Sequence, residues 1–456
     1  MVAMRTRTSS ALTTGLLLLA SHSSTARSLS TSSVQNVVKT SKFLASELVS
    51  FYDGYEDGQT PGLLPQRTQN TTGYSFGQSA AFMHTYIHYW HMTADETYND
   101  AVSDGILHQI GDDDGVFTPK NQTKVTNLDQ CLWALTAMSA AEFGFPSSSP
   151  ATADWFDLAD GVFEEQVSQW EIERKYGACG GGIREKVAKT DGANVTSTLP
   201  TACFFNLAAH LARYTNKTSY GEWADKSWDW LHNSSSSDND ALEISVYSDG
   251  ECGKVDNSTS SLQHTLLAEG AAFMEYYTNG TWDWYIRADE FINSTLSTYF
   301  PGGVFTEAEC DLSDCNAWST SNGLVHQKLA VTAQILTNAT DSIVPVLRTS
   351  AKAALNKCRT GKTGTKCDWS RQVGSGKGDD AMEPMGTLSA VLSLLTRYVE
   401  GPSTAESGSP AAGPSNEPVD REDVVYPDIS TRSSADCTSP SILALVGLAA
   451  CAFLVM

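Results

Sequence analysis

A chain of 456 residues, 41% of them hydrophobic, can bury one large core or two smaller ones. Its formal charge of -23, from 30 Lys and Arg against 53 Asp and Glu, argues against nucleic acid and anionic lipid headgroups as partners. A neutral polymer such as a carbohydrate remains compatible.

The N-terminus carries Arg5 and Arg7, then the apolar stretch ALTTGLLLLA from Ala11 to Ala20, then Ser24, Thr25 and Ala26 as a cleavage region. This pattern predicts a secretory signal peptide over residues 1–26. From residue 33 to 399 the dominant pattern is apolar residues at three and four spacing, and strand-like alternation is scarce. The periodic segments are Val34 to Phe51, Gln78 to His91, Thr97 to Ile110, Leu128 to Phe143, Asp154 to Trp170 and Cys203 to Tyr214. They continue as Tyr220 to His232, Leu262 to Tyr277, Thr281 to Tyr299, Ser321 to Leu336, Ile343 to Leu355 and Met382 to Tyr398. Twelve helices in antiparallel hairpins predict an all-α fold, an (α/α)6 toroid in which an inner ring of six is wrapped by an outer ring. An α-solenoid is the alternative, weakened because no motif of fixed period recurs.

Residues 400–440 turn to Pro, Ser, Gly and Ala, as in GPSTAESGSPAAGPSNEP, a composition that predicts an unfolded linker or stalk. The uncharged run SILALVGLAACAFLVM over 441–456 follows, preceded by the small residues Ser433, Ser434 and Ala435. It is short for a bilayer span and has no basic flank after it, so it is read as a GPI attachment signal, with a stop-transfer helix as the alternative.

Setting Cys437 and Cys451 aside with the tail leaves eight cysteines in a chain bound for an oxidising compartment. Local pairs Cys310 with Cys315 and Cys358 with Cys367 are expected, and the connectivity of Cys131, Cys179, Cys203 and Cys252 stays open. No Cys-x-x-Cys occurs and the nine His are scattered without a ligand spacing, so neither a metal nor another cofactor is expected. Sequons at Asn70, Asn121, Asn194, Asn216, Asn233, Asn257, Asn279, Asn293 and Asn338 predict a glycosylated surface.

The stretch NLDQCLWALT from Asn127 gathers an amide, a carboxylate at Asp129, a second amide at Gln130 and the ring of Trp133 at a helix start. Asn127 as N-cap and Asp129 in a first turn favoured by the helix dipole explain the first two residues structurally. The alternative places Asp129 at the mouth of the toroid as one carboxyl of a glycosidase, with a second from Asp112, Asp113 or Asp114. That triplet also reads as a solvated turn. Gly180, Gly181 and Gly182 permit close backbone approach before Arg184, either to a ligand or within a disulfide-pinned turn. Trp223, Trp228 and Trp230 are read chiefly as core.

Taken together, GQTPGLLP from Gly58, PKNQTK from Pro119, NLDQCLWALTAMSAAE, CGGGIR from Cys179, CFFNLAAHLARYTN from Cys203, WADKSWDWL from Trp223, GAAFMEYYTNG from Gly270 and VPVLRTSAKAALNKC from Val344 form one collinear series. The series resembles glycoside hydrolase family 76, the fungal endo-α-1,6-mannanases, in its GPI-anchored wall-protein branch. The resemblance implies an (α/α)6 barrel and a secreted monomer held at the plasma membrane or cell wall, touching the membrane only through a lipid anchor. It also implies a substrate of α-1,6-mannan, a related cell-wall polysaccharide or a GPI-derived mannose glycan.

The family motif at the opening stretch is Asn-Asp-Asp-Gln. Carried over by position, Asp129 matches the second aspartate, the general acid/base, and Leu128 stands where the nucleophile belongs. The resemblance further implies that Asn127, Gln130, Trp133, Gly181, Gly182, Arg184 and Asp114 line the substrate site. Other inner-end positions also depart: the family's Trp-Glu pair falls on Gly77 and Gln78. An aromatic segment falls on Ser260 to Gln263, a Phe-Lys pair falls near Asn322 and Gly323, and an aromatic falls on Glu185. The expected function is a mannan endo-1,6-α-mannosidase-like glycosidase or transglycosidase of cell-wall biogenesis. The alternative is a non-catalytic, GPI-anchored glycan-binding paralogue, because leucine can neither form a glycosyl ester nor stabilise an oxocarbenium ion.

Overall fold

The computed structural model describes residues 29–65, 73–111, 117, 125–149, 154–177, 179–187, 195–233, 243–244, 246–247, 258–307, 321–361, 364–367 and 381–419. The expected signal peptide, the apolar tail, Asp112, Asp113, Asp114 and the pair Cys310 with Cys315 lie outside these residues.

All twelve expected helices form. They are α1 (Val34–Leu48), α2 (Phe76–Thr93), α3 (Asn99–Leu107), α4 (Asn127–Phe143), α5 (Trp155–Tyr176), α6 (Thr198–Thr215), α7 (Thr218–Asn233), α8 (Ser261–Tyr277), α9 (Trp282–Tyr299), α10 (Ser321–Ile335), α11 (Thr340–Asn356) and α12 (Met382–Leu392). Odd and even helices differ in a way that follows from where they sit. All 18 residues of α2 are buried, and α6 and α8 are buried over nearly their whole length. By contrast α1 and α11 bury one stripe, as surface helices do. Contacts run α2 to α4, α6, α8, α10 and α12 and back to α2, closing an inner ring, with the odd helices packed outside it. The all-α (α/α)6 toroid is therefore the observed architecture.

Short antiparallel strands decorate one end. β1 (Ile183–Arg184), β2 (Thr196–Ser197) and β4 (Val246–Tyr247) form one sheet, and β3 (Glu243–Ile244) pairs with β5 (Ser258–Thr259). β6 (Cys358–Gly361) and β7 (Gly364–Cys367) form a hairpin whose register sets Cys358, which is disulfide-bonded, opposite Cys367. Cys131 of α4 is bonded to Cys203 of α6, joining two inner helices near their N-terminal ends.

Two ends of the ring carry different chemistry. The C-terminal ends of the inner helices are covered by residues 401–419, which differ from the unfolded linker that composition predicts from residue 400. Arg213 donates to the Pro402 and Ser403 carbonyls, Ser403 N and Oγ donate to the Glu142 carbonyl, and Gly413 N donates to the His91 carbonyl. Backbone groups hold this strap, so its lack of apolar side chains did not prevent docking. Beneath it lies a buried ionic network. Glu269 accepts Lys328 Nζ at 2.6 Å and Asn206 Nδ2 at 3.1 Å, and His210 lies between Glu142 (3.0 Å) and Glu269 (3.4 Å). The opposite end, where the inner helices begin, holds Asp129.

Candidate active site

Thr126 caps α4 and Asp129 completes a capping box three positions on: the Thr126 hydroxyl accepts from Asp129 N, and Asp129 Oδ2 accepts from Thr126 N at 3.0 Å. Thr126, not Asn127, is therefore the N-cap. Oδ2 also accepts the Thr126 hydroxyl at 2.8 Å, while Oδ1 accepts Gly77 N at 2.8 Å from the first turn of α2. A side chain at Gly77 would run into Asp129 Oδ1, so this contact between two inner helices requires glycine. Burial raises the Asp129 carboxyl above its ordinary range, against the pull of its Thr126 and Gly77 donors. Both Leu128 and Asp129 keep part of their surface open.

The neighbours expected to join Asp129 in binding are turned elsewhere. Asn127 is fully buried; its Nδ2 donates to Gln169 Oε1 at 2.7 Å and to the Arg184 carbonyl at 3.0 Å. Gln130 is fully buried against Phe117 and Glu165. Trp133 donates to the Phe76 carbonyl at 3.1 Å and packs between the Phe76 and Phe117 rings, a core tryptophan with no face for a sugar. The split follows from the place of α4 in the inner ring, where every residue but Leu128, Asp129 and Ala141 is buried.

The glycine run also resolves into packing. Gly181 has φ 141° and Gly182 φ 86°. A Cβ at Gly181 would sit 2.7 Å from the Trp170 ring, and one at Gly182 2.5 Å from Trp230. Trp230 in turn donates to the Cys179 carbonyl at 3.0 Å. Arg184 forms an ion pair with Glu173 of α5. These residues brace the loop against α5 and α7 instead of presenting donors to a ligand. The other tryptophans agree with the core reading: Trp228 and Trp230 are buried and Trp223 is partly so.

Two carboxyls that sequence reading passed over stand at the same end. The chain around Glu185 pairs with the start of α4, Asn127 N donating to the Glu185 carbonyl at 3.0 Å and Val187 N to the Val125 carbonyl. Burial, and then the charge of Asp129, raise the Glu185 carboxyl, with the Ser197 hydroxyl at the start of α6 acting against them. Across the ring, Glu307 accepts Ser261 N at 3.2 Å and Ser261 Oγ at 2.5 Å at the start of α8, and burial pushes it up to about 7. Glu185 was visible only as a departure from a family aromatic. Its proximity to Asp129 depends on pairing between segments some sixty positions apart.

Between the inner helices a small internal space, too tight to hold a water molecule, is lined by the buried residues Ala81, His84, Leu132, Leu135, Thr136, Leu324 and Lys328. Burial and then the Lys328 charge lower His84 to about 3, so its imidazole is neutral.

Glycosyl hydrolase family 76 matches residues 36–406. The chain belongs to that family. Among its relatives, the mannan endo-1,6-alpha-mannosidase DCW1 of Saccharomyces cerevisiae is 28% identical over 88% of each chain. Dfg5 from Chaetomium thermophilum, solved in complex with glucosamine, is 35% identical, covers 86% of this chain and 97% of its own, and superposes with a TM-score of 0.76. The same fold at 13% identity and a TM-score of 0.60 occurs in a family 76 α-1,6-mannanase of Salegentibacter sp.. That structure is of an inactive variant, with asparagine at two adjacent aspartates, in complex with α-1,6-mannotriose; it covers 78% of this chain and 98% of its own.

Proposed function

We propose that this family 76 protein is an endo-1,6-α-mannosidase-like glycosidase or transglycosidase acting on α-1,6-mannose glycans of the cell wall. The observation that carries the reading is Asp129: a carboxyl at the N-terminal rim of the inner ring, held by three donors, in a residue that keeps part of its surface and in a member of a mannanase family. In this reading Asp129 exchanges a proton at the glycosidic bond, and Leu128 excludes the family's double displacement through a glycosyl ester. The glycan is α-1,6-mannan or the mannose core of a GPI anchor, and the protein works as a secreted monomer tethered at the plasma membrane or wall by its own lipid anchor. Support for secretion comes from the charged-then-apolar N-terminus and from the described sequons, since Asn216, Asn279, Asn293 and Asn338 are all exposed. Among the described residues no helix is long and apolar enough to cross a membrane. Release of the protein from intact cells by a phosphatidylinositol-specific phospholipase tests the anchor; a chain that is not released and still carries the 441–456 tail refutes it.

The test of activity is Asp129→Asn on linear α-1,6-mannan. A fall in kcat of about 10²- to 10⁴-fold is expected of a general acid/base; an unchanged rate removes Asp129 from the chemistry. Leu128 itself favours a second reading, a non-catalytic glycan-binding paralogue. Leu128→Asp separates the two: turnover by that variant alone, with none by the native chain, supports the binding protein.

A further inference from the structure

A glycosidase needs two carboxyls, and the question is where this chain finds the one that Leu128 cannot supply. Resting on the mannosidase reading above, we propose that Glu185 is the second catalytic carboxyl, the general acid that works opposite Asp129.

The placement comes from three independent contacts. The backbone of residues 185–187 runs antiparallel to 125–127, so Glu185 is fastened to the first turn of the helix that carries Asp129. On its other side Glu185 N donates to the Val195 carbonyl at 2.7 Å, and β1 pairs with β2, which leads directly into α6 through Ser197. Glu185 thus stands between the starts of two inner helices, at the rim where Asp129 lies. Arg184 turns to Glu173 of α5 and is committed there, while the groups that act on the Glu185 carboxyl are the Asp129 charge and the Ser197 hydroxyl. Glu185 retains part of its surface, as a group that must touch a substrate requires.

The environments of the two carboxyls assign their roles. Asp129 accepts from two backbone N–H groups and a hydroxyl, all of which favour its ionised form. Burial and the charge of Asp129 both raise the Glu185 carboxyl, the direction a general acid needs. We assign the donating role to Glu185 and the accepting role to Asp129. In the step that follows, Glu185 gives its proton to the glycosidic oxygen as the bond from that oxygen to mannose C1 breaks. Water, or an acceptor hydroxyl in transfer, forms the new bond to C1 and yields its proton to Asp129. In hydrolysis one water is consumed and two shorter mannan ends are formed, in transfer the acceptor takes the place of the water, and the proton returns to Glu185 through solvent.

The experiment compares native, Glu185→Gln and Asp129→Asn full-length protein on α-1,6-mannopentaose and on α-1,6-mannobiosyl fluoride, whose leaving group needs no proton. Glu185→Gln is expected to lower kcat on the pentasaccharide by about 10²- to 10⁴-fold at near-constant KM, and to keep most of the rate on the fluoride. Asp129→Asn is expected to lose both. Equal losses of Glu185→Gln on the two substrates, or none, overturn the role of Glu185 while Asp129-dependent turnover leaves the mannosidase reading standing. A native chain inactive on both substrates overturns both. If Glu185→Gln does not fold, Glu185→Asp carries the same comparison, with an intermediate kcat and the same recovery on fluoride expected; native-like kcat on the pentasaccharide refutes the assignment.

Discussion

Lys328→Met removes the cation nearest to Glu269, at 2.6 Å, and leaves an apolar chain of similar reach in the ring interior. Burial pushes the Glu269 carboxyl up, but Lys328 and His210 outweigh it and hold the group at about 2, against an ordinary 4.5. That shift, at about 1.4 kcal/mol per unit, corresponds to roughly 3 kcal/mol of stability at neutral pH. The value agrees with the ~3–5 kcal/mol lost when one partner of a buried pair is deleted. The folded value lies below the unfolded one, so the contribution is complete above 4.5 and disappears as pH falls towards 2. At pH 3 about half of it remains. Thermal unfolding of native and Lys328→Met protein at pH 7 and pH 3 measures both limits. With an unfolding entropy of about 2.1 cal/mol/K per residue across the family domain, the variant should melt about 4 °C lower at pH 7 and about half as much lower at pH 3. A variant as stable as the native chain at both pH values would falsify the account of the network, because apolar packing would then match the ion pair.

Further outcomes follow from the brace around the site. Replacing Cys131 and Cys203 together by serine frees a loop closed over a sequence separation of 72, and should cost about 4 kcal/mol, read from the denaturant midpoint under non-reducing conditions. Gly182→Ala drives a methyl into Trp230 and Thr196 and forces a left-handed backbone, with an expected loss of about 2–3 kcal/mol. Gly180→Ala has an equally left-handed backbone (φ 67°) but open space around it, and should cost about 1 kcal/mol. Equal melting temperatures for the two alanine variants contradict the packing role given to Gly182.

The outer helices were legible because each buries a stripe, and a stripe leaves a three-and-four period in the residue order. The inner helices, buried all round, were legible by length and apolar content. Legibility stopped at the site because polarity at a helix start does not say which way a side chain turns. Asn127, Gln130 and Trp133 read as a binding cluster and are interior, whereas Leu128, the least polar of the group, keeps surface beside Asp129. Glu185 was hidden for a different reason, since its place depends on strand pairing with residues 125–127 that no local pattern encodes. Docking of the 401–419 strap was equally hidden: main-chain groups make the bonds, so composition alone predicted a free linker.

Turnover by the native protein tests the central claim most directly. Purified full-length chain incubated with linear α-1,6-mannan should release manno-oligosaccharides of several residues, at a rate abolished by Asp129→Asn in samples matched for folded fraction. Matching matters, because the same substitution sets an amide N–H₂ against the Thr126 or Gly77 donor and costs about 1–3 kcal/mol of stability on its own. Saturable binding of mannan with no oligosaccharide released would contradict the account and make this family 76 chain a glycan-binding protein.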